Sequence, residues 1–188
     1  VTLADVIGAE GVVRLDERTI DVEIVGEALR RALSGALGQL VAMRAREGEA
    51  LARDLVARLD ELDRLVGEVA ERAPQSVELY RARLAERVAE LSRGMPVEPA
   101  RLAQEVAVFA DRTDVAEEIT RLRSHLSQVR ALLAVTEPAG RKLDFLVQEM
   151  HREANTIGSK SQSADIAGLV VALKAEIERM REQVQNVE

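Results

Sequence analysis

The stretch VEIVGEALRRALSGALGQLVAMRAREGEALARDLVARLDELDRLVGEVAER, residues 22–72, decides the fold class of this chain. Its apolar side chains return at steps of three and four, which is the period of an amphipathic α-helix. The recurring residues include Leu29, Leu33, Leu37, Leu40, Leu51, Leu55, Leu59, Leu62 and Val66. About fifty helical residues would measure ~75 Å, too long for a compact bundle of this size, so we predict an extended helical arm.

The segment APQS (73–76) interrupts this pattern, and Pro74 predicts a turn into a second helix over 77–92. Further helical patterns begin near Pro99 and Asp114. The side chains of the segment GSKSQS (158–163) are too small and polar for a helix interior, so we predict a loop there. The last two predicted helices cover about 141–156 and Asp165 to Gln185. We therefore predict an all-α fold with a long helical hairpin arm plus a C-terminal helical bundle.

The predicted organisation has three parts. Residues 1–21 are Gly-punctuated and weakly patterned, so they are interpreted as a connector from a preceding segment. Residues 22–96 form the hairpin, and residues 97–188 form the C-terminal helical domain. The chain begins at Val1 and not at Met, which is typical of a fragment of a longer protein.

The composition limits the function classes. The 188 residues include no cysteine, which excludes disulfides and thiolate chemistry and is consistent with a cytoplasmic location. No apolar run approaches the roughly 20 residues of a membrane span, so no membrane partner is expected. The net charge of −7 argues against non-specific phosphate binding along the whole chain. Residues 111–160, however, hold eight acidic and eight basic side chains and could accept a polyanion locally.

Polar residues at helical spacing are concentrated in DRTDVAEEITRLRSHLSQ (111–128) and GRKLDFLVQEMHREANTIGSKS (140–161). Glu118, Arg121 and His125 share one helix face, and Glu149 and Glu153 are four residues apart. Such a carboxylate pair together with a histidine could hold a divalent metal that activates water for phosphodiester hydrolysis.

Simpler interpretations stay open at this point. The carboxylate pair is also typical of a solvated face of ion pairs, and His125 is equally compatible with a structural role. The neighbouring cations could hold phosphates or could pair with local carboxylates; they are Arg121, Arg123, Arg141, Lys142, Arg152 and Lys160. No platform for base stacking is expected among them.

The segments DVAEEITRLRSHL, GRKLDFLVQEMHREANTIGSKS and LKAEIERMREQVQNVE resemble the C-terminal signature of the YicC/YloC-like endoribonuclease family. The middle region around AMRAREGEALARDL is similar as well, and the family's first domain is absent. Position 151 departs from the family pattern, which more often has Asn where this chain has His151. The matching motif residues are Glu117, Glu118, Arg121, His125, Asp144, Glu149, Arg152, Glu153, Asn155, Thr156, Ser159 and Lys160.

The resemblance implies a metal-dependent endoribonuclease that acts on RNA and assembles as a ring-like homo-oligomer, expected to be a hexamer. We assign His125, Glu149 and Glu153 to a Mn²⁺ or Mg²⁺ ion and Glu118 to orienting His125 or a water. Arg121, Arg141, Arg152 and Lys160 are assigned to RNA. The tail REQVQNVE (181–188) fits a docking role better than catalysis. The alternative is a non-catalytic helical module for RNA binding and oligomerisation.

Overall fold

The computed structural model describes residues 1–12, 21–92, 98–135 and 138–187. The predicted all-α fold is confirmed: every regular element in the described residues is a helix. The six helices are α1 (Leu3–Ile7), α2 (Val22–Leu91), α3 (Pro99–Arg112), α4 (Ala116–Leu133), α5 (Gly140–Lys160) and α6 (Ala164–Val184). The chain divides into two compact units, Val1–Arg46 and Glu47–Glu188.

The first unit contains α1 and the beginning of α2. A capping box starts α1, in which the Thr2 hydroxyl accepts the Asp5 N–H and the Asp5 carboxylate accepts the Thr2 N–H. The large apolar residues of α2 in this unit stay exposed: Leu29 is 66% exposed, Leu33 56% and Leu37 52%. The predicted connector over 1–21 lies partly outside the described residues.

The second unit buries one hydrophobic core among α2, α4, α5 and α6. Helices α4 and α5 pack side by side, as do α5 and α6. Both pairs are antiparallel, because Glu118 near the start of α4 meets Lys160 at the end of α5, and Gly158 near the end of α5 faces Val170 of α6. The core stripes follow the predicted helical period, with Leu122, Leu143 and Leu173 each at most 1% exposed.

A polar network joins α2 to α6 inside this unit. The Arg58 guanidinium donates to Glu176 at 2.8 Å and to Asp54 at 2.8 Å, and the Gln183 amide donates to Asp54 at 2.9 Å. Hydrogen bonds from Arg58 and Gln183 lower the pKa of the Asp54 carboxyl below its ordinary value. Every member of the network has a partner, so these residues are structural ties between helices.

The predicted hairpin turn at 73–76 is wrong, because α2 runs without interruption from Val22 to Leu91 and contains Pro74. A proline in a helix interior removes one backbone hydrogen bond and crowds the preceding turn. The apolar stripe nevertheless continues in phase across it, from Val69 to Tyr80, and Tyr80 stacks on Phe109 of α3 with ring centroids 3.7 Å apart. These contacts beyond the proline outweigh its local cost.

The predicted end of the fifth helix is also too early. Helix α5 continues through Gly158 and Ser159 to Lys160, although these residues are poor helix formers or polar. Tertiary contacts hold this last turn: Ile157 is fully buried, and a Cβ at Gly158 would lie 3.1 Å from the Val170 side chain. A glycine at this position therefore favours the close approach of α6.

The C-terminal tail packs against the chain's own bundle. Val184 is 2% exposed, and a Cβ at Gly140 would lie 2.5 Å from the Val187 carbonyl oxygen, so the first residue of α5 must be glycine. The tail thus docks within the second unit, whereas a subunit-contact role for it stays a prediction. None of the described helices is long and apolar enough to cross a membrane.

Candidate functional site

The predicted site residues lie on two facing helix segments, the first half of α4 and the second half of α5. Helix α4 starts where the Asp114 carboxylate accepts the Ala116 N–H at 2.9 Å. Its apolar residues Ile119, Leu122 and Leu126 enter the core, which leaves the polar residues at the adjoining positions along the junction with α5.

Glu118 and Lys160 form the closest polar contact across this junction. The Lys160 ammonium donates to Glu118 Oε1 at 2.8 Å and to the Asp114 carbonyl oxygen at 3.0 Å. Glu118 is 4% exposed, and its second oxygen, Oε2, is buried without a hydrogen-bond partner. The hydrogen bond to Glu118 raises the pKa of Lys160 above its ordinary value. A carboxylate with one satisfied and one free oxygen is positioned to accept a further proton donor.

Arg121 and Glu153 form a second link between the helices. The Arg121 guanidinium lies 3.5 Å from Glu153 Oε1 and also pairs with Glu117 of its own helix. The Glu153 side chain is only 9% exposed, whereas that of Arg121 is 53% exposed. Arginine carries five N–H donors, so an outward-facing Arg121 can hold both carboxylates and still contact an anion.

His125 lies one turn beyond Arg121 on α4 and is half-buried. Its Nδ1 atom is buried and has no hydrogen-bond partner. The two unpartnered buried side-chain atoms found in the described residues are therefore Glu118 Oε2 and His125 Nδ1, and both belong to predicted site residues. Each such atom costs roughly 1–3 kcal/mol when nothing satisfies it.

The remaining predicted residues do not join this group. Glu149 pairs with Arg152 of its own helix at 2.8 Å, and Arg152 is largely exposed. Arg141 stands in the first turn of α5, far along the helix from Lys160. His151 is engaged by Asn155, whose side-chain nitrogen lies 3.1 Å from its Nδ1.

The predicted metal ligands were tested against this geometry. Across residues 1–12, 21–92, 98–135 and 138–187, no group of three or more His, Asp and Glu side chains is placed to hold a metal ion. Glu153 and Glu149 each face an arginine. The ligand set His125, Glu149 and Glu153 therefore does not fit a metal in the described arrangement.

Comparison with known sequences identifies the family to which this chain belongs. The family model described as "Endoribonuclease YicC-like, C-terminal" matches residues 69–188, which include α3 to α6 and all of the candidate site. The chain belongs to the YicC-like endoribonuclease family. The resemblance expected from the sequence segments is thereby confirmed.

Two curated relatives of the YicC-like family extend the match beyond the C-terminal region. A protein named "Probable endoribonuclease YicC" from Clostridioides difficile is 42% identical over 178 residues, which cover 94% of this chain and 61% of the relative. A protein of the same name from Haemophilus influenzae is 39% identical over 188 residues, the whole of this chain and 64% of the relative. The chain thus spans less than two thirds of the length of either relative.

The sequence indicated Glu118, His125, Arg121, Glu153 and Lys160, and the structure brings these residues to one junction. It did not indicate that the Asp114 carbonyl oxygen shares Lys160 with Glu118. A backbone carbonyl group is present in every residue, so residue type does not indicate which one accepts a hydrogen bond. In addition, the loop predicted at 158–163 placed Lys160 outside the helix. Glu118 and Lys160 are 42 residues apart, and no local pattern in the sequence pairs them.

Proposed function

We propose that this chain carries the catalytic face of an endoribonuclease that hydrolyses RNA phosphodiester bonds at the α4/α5 junction. The observation that carries the proposal is that Glu118 Oε2, beside Lys160, and His125 Nδ1, two turns further along α4, are both buried without a hydrogen-bond partner in the described residues. Native proteins satisfy nearly all buried polar atoms, so two exceptions on one face of α4 support a site completed by a ligand. The name of the curated relatives supports the same reaction class.

The junction offers the groups that phosphodiester hydrolysis requires. His125 is the group to take a proton from the attacking oxygen or return one to the leaving oxygen, because an imidazole ring has one nitrogen that accepts a proton and one that donates. Lys160 and Arg121 supply positive charge and N–H donors for the negative charge that gathers on the phosphoryl oxygens. Glu118 orients Lys160 through their 2.8 Å hydrogen bond, and its second, buried oxygen can accept a further hydrogen bond.

We also propose that RNA cleavage requires Mn²⁺ or Mg²⁺. In this region of the described chain the carboxylates face arginines and no three-ligand group is formed, so we derive no chemical step through a metal. Cleavage of RNA with and without a chelator tests the requirement directly, and retained cleavage in excess chelator would contradict it.

A second candidate function rests on a separate observation. Glu153 and Glu149 are each neutralised by an arginine, which is what a structural module would show. On this alternative the chain binds RNA and assembles copies, and catalysis resides in a domain outside this chain or is absent. Assembly as a homo-oligomeric ring, expected as a hexamer, belongs to both candidates and is supported by the exposed leucines of α2.

Two pairs of substitutions separate these candidates by RNA cleavage. His125→Gln and Glu118→Gln are expected to slow cleavage of a labelled RNA by about 10²-fold or more, the size of a lost acid–base group. The matched controls are His151→Gln, which changes the other histidine, and Glu105→Gln, which changes an exposed glutamate on α3. Both controls are expected to cleave like the unaltered chain.

Thermal melting and light scattering of the same variants complete the experiment. Loss of cleavage by His125→Gln with unchanged melting temperature and mass would support catalysis at the α4/α5 junction. Cleavage at the unaltered rate by both His125→Gln and Glu118→Gln would overturn it and favour the module. Glu118→Gln also alters a buried ion pair, so the decisive result is that of His125→Gln.

A further inference from the structure

A second feature of the α4/α5 pair lies at its opposite end, where the last turns of α4 meet the first turns of α5. An open groove of about 560 Å³ is lined there by Gln128, Ala131, Leu132, Val135, Arg141, Lys142, Phe145 and Leu146. We define these residues as the α4/α5 groove. Its floor is apolar, since Leu146 is buried and Leu132 is half-buried.

Phe145 stands in this groove with its side chain in solvent. It is 58% exposed, whereas its neighbours Leu143, Leu146 and Val147 on α5 enter the core. The chain has three aromatic residues, and the other two, Tyr80 and Phe109, stack on each other. Phe145 is therefore the aromatic ring whose face is open to a ligand. Core packing does not account for a phenylalanine at this position.

Two cations flank the ring. Arg141 and Lys142 precede Phe145 by four and three residues, so all three side chains leave neighbouring positions on the first turns of α5. Both cations are exposed, and neither forms an ion pair or side-chain hydrogen bond with any residue in the described part of the chain. In contrast, Lys160, Arg121 and Arg152 are all held by carboxylates.

The charge of the groove differs from that of the molecule. Among the described residues that line the groove none is acidic, although the chain as a whole carries a net charge of −7. Two unpaired cations beside an exposed aromatic face complement a ligand with alternating phosphates and flat bases. Single-stranded nucleic acid has this chemistry, because its unstacked bases can lie on aromatic rings while basic side chains follow its backbone.

We propose that the α4/α5 groove binds single-stranded RNA, with a base stacked on Phe145 and neighbouring phosphates contacted by Arg141 and Lys142. This inference rests on the proposed endoribonuclease function for the choice of RNA over DNA. The groove is a binding subsite that lies away from the candidate site. Arg141 lines the groove and Glu153 belongs to the candidate site, and the two are twelve residues, about 18 Å, apart along α5. The proposed stacking on Phe145 differs from the expectation that these cations have no platform for base stacking.

The test measures binding of a fluorescently labelled single-stranded RNA by anisotropy, using the full chain. Phe145→Leu keeps an apolar side chain of similar reach but removes the aromatic face, and it is expected to weaken binding about tenfold. Phe145→Ala is expected to weaken it at least as much. Val171→Ala is the matched control, because Val171 is 68% exposed on α6 and lies outside the groove, and it is expected to bind like the unaltered chain.

The cations are tested by the salt dependence of the same binding. Arg141→Gln and Lys142→Gln are each expected to reduce the slope of log affinity against log salt by about 0.7, the value for one phosphate contact on a single strand. Arg101→Gln on α3 is the matched control, since Arg101 is exposed and does not line the groove. Its slope is expected to equal that of the unaltered chain.

The outcomes separate this inference from the proposed function when cleavage is measured on the same samples. Binding by Phe145→Leu equal to that of the unaltered chain overturns the inference, and so does an unaltered chain that binds no RNA. If Phe145→Ala changes the mass by light scattering but leaves RNA affinity intact, the groove binds another protein copy and the inference is wrong. Phe145-dependent binding without cleavage supports the inference and overturns only the proposed hydrolysis.

Discussion

At the scale of single residues, Lys160 has two roles. It links α5 to α4 through its hydrogen bond to Glu118, and it adds a positive charge to the candidate site. Its ammonium neutralises Glu118, whose side chain is 5% exposed. Lys160→Met is expected to destabilise the chain by about 1–3 kcal/mol, because it leaves a buried carboxylate without its hydrogen-bond partner. The measurement is the free energy of unfolding in urea, with Lys174→Met on α6 as the control, which is expected to change it little.

The same pair gives a defined pH dependence. The hydrogen bond to Glu118 raises the pKa of Lys160 in the folded state, so the folded state holds this proton more tightly than the unfolded state does. The stability that the pair contributes is therefore complete below about pH 10 and is lost as the pH rises through the raised pKa. The difference in unfolding free energy between the unaltered chain and Lys160→Met should shrink in that range. A difference that stays constant above it would contradict the assignment.

Residue types and spacing predicted which residues share the candidate site, but they did not predict which of their side chains pair with each other. Glu118, Arg121 and His125 follow from helical periodicity alone, because positions three, four and seven apart share a face. The pairing of Glu153 with Arg121 could not be predicted, since it depends on which positions of α5 face α4. Phe145 was overlooked for a similar reason: its exposure depends on the rotation of α5, which the core residues Leu143 and Leu146 set.

At the scale of elements, Pro74 shows where local sequence signals and tertiary packing disagree. The proline predicts a turn, but the apolar residues on either side of it keep the same helical phase, and this phase was the stronger signal. The regular stripes of α4, α5 and α6 were predictable because propensity and burial agree there. Helix α5 was predicted too short because Gly158 and Ser159 are stabilised by contacts with α6 and not by local propensity.

The cost of Pro74 can be measured by removing it. Pro74 is exposed within α2, and Pro74→Ala restores a backbone donor and removes a clash in the preceding turn. Part of the gain is offset because proline also restricts the unfolded chain, so the net stabilisation is expected to be about 1–2 kcal/mol. Thermal unfolding should show a higher melting temperature. Gln75→Ala, at the exposed neighbouring position, is the control and is expected to change stability by less than about 0.5 kcal/mol.

A lower melting temperature for Pro74→Ala would indicate that the proline fixes a bend that the core requires. In that case the segment after Pro74 would owe its direction to the proline and not to the stack of Tyr80 on Phe109. The continuous apolar phase across residues 69–80 favours the first outcome, since alanine at position 74 alters no buried contact.

At the scale of the whole molecule, the large apolar residues of α2 in the first unit are exposed among the residues that the structure describes. Leu33 and Leu37 are 56% and 52% exposed and stand one turn apart on α2. Burying a leucine is worth roughly 1.5–3 kcal/mol, so a stripe of such residues strongly favours association. This stripe is the surface on which the proposed homo-oligomer depends.

Leu33→Glu combined with Leu37→Glu is expected to lower the mass of the assembly measured by light scattering, because each copy would have to bury two carboxylates. The control is Gln39→Glu combined with Ala42→Glu, which adds the same charge to exposed positions on the opposite side of α2. Its mass should equal that of the unaltered chain. The second unit holds the hydrophobic core independently of this stripe, so the melting transition of that core should survive in both double variants. A monomeric unaltered chain, or an unchanged mass for the leucine variant, would show that another surface or another segment of the longer protein assembles the copies.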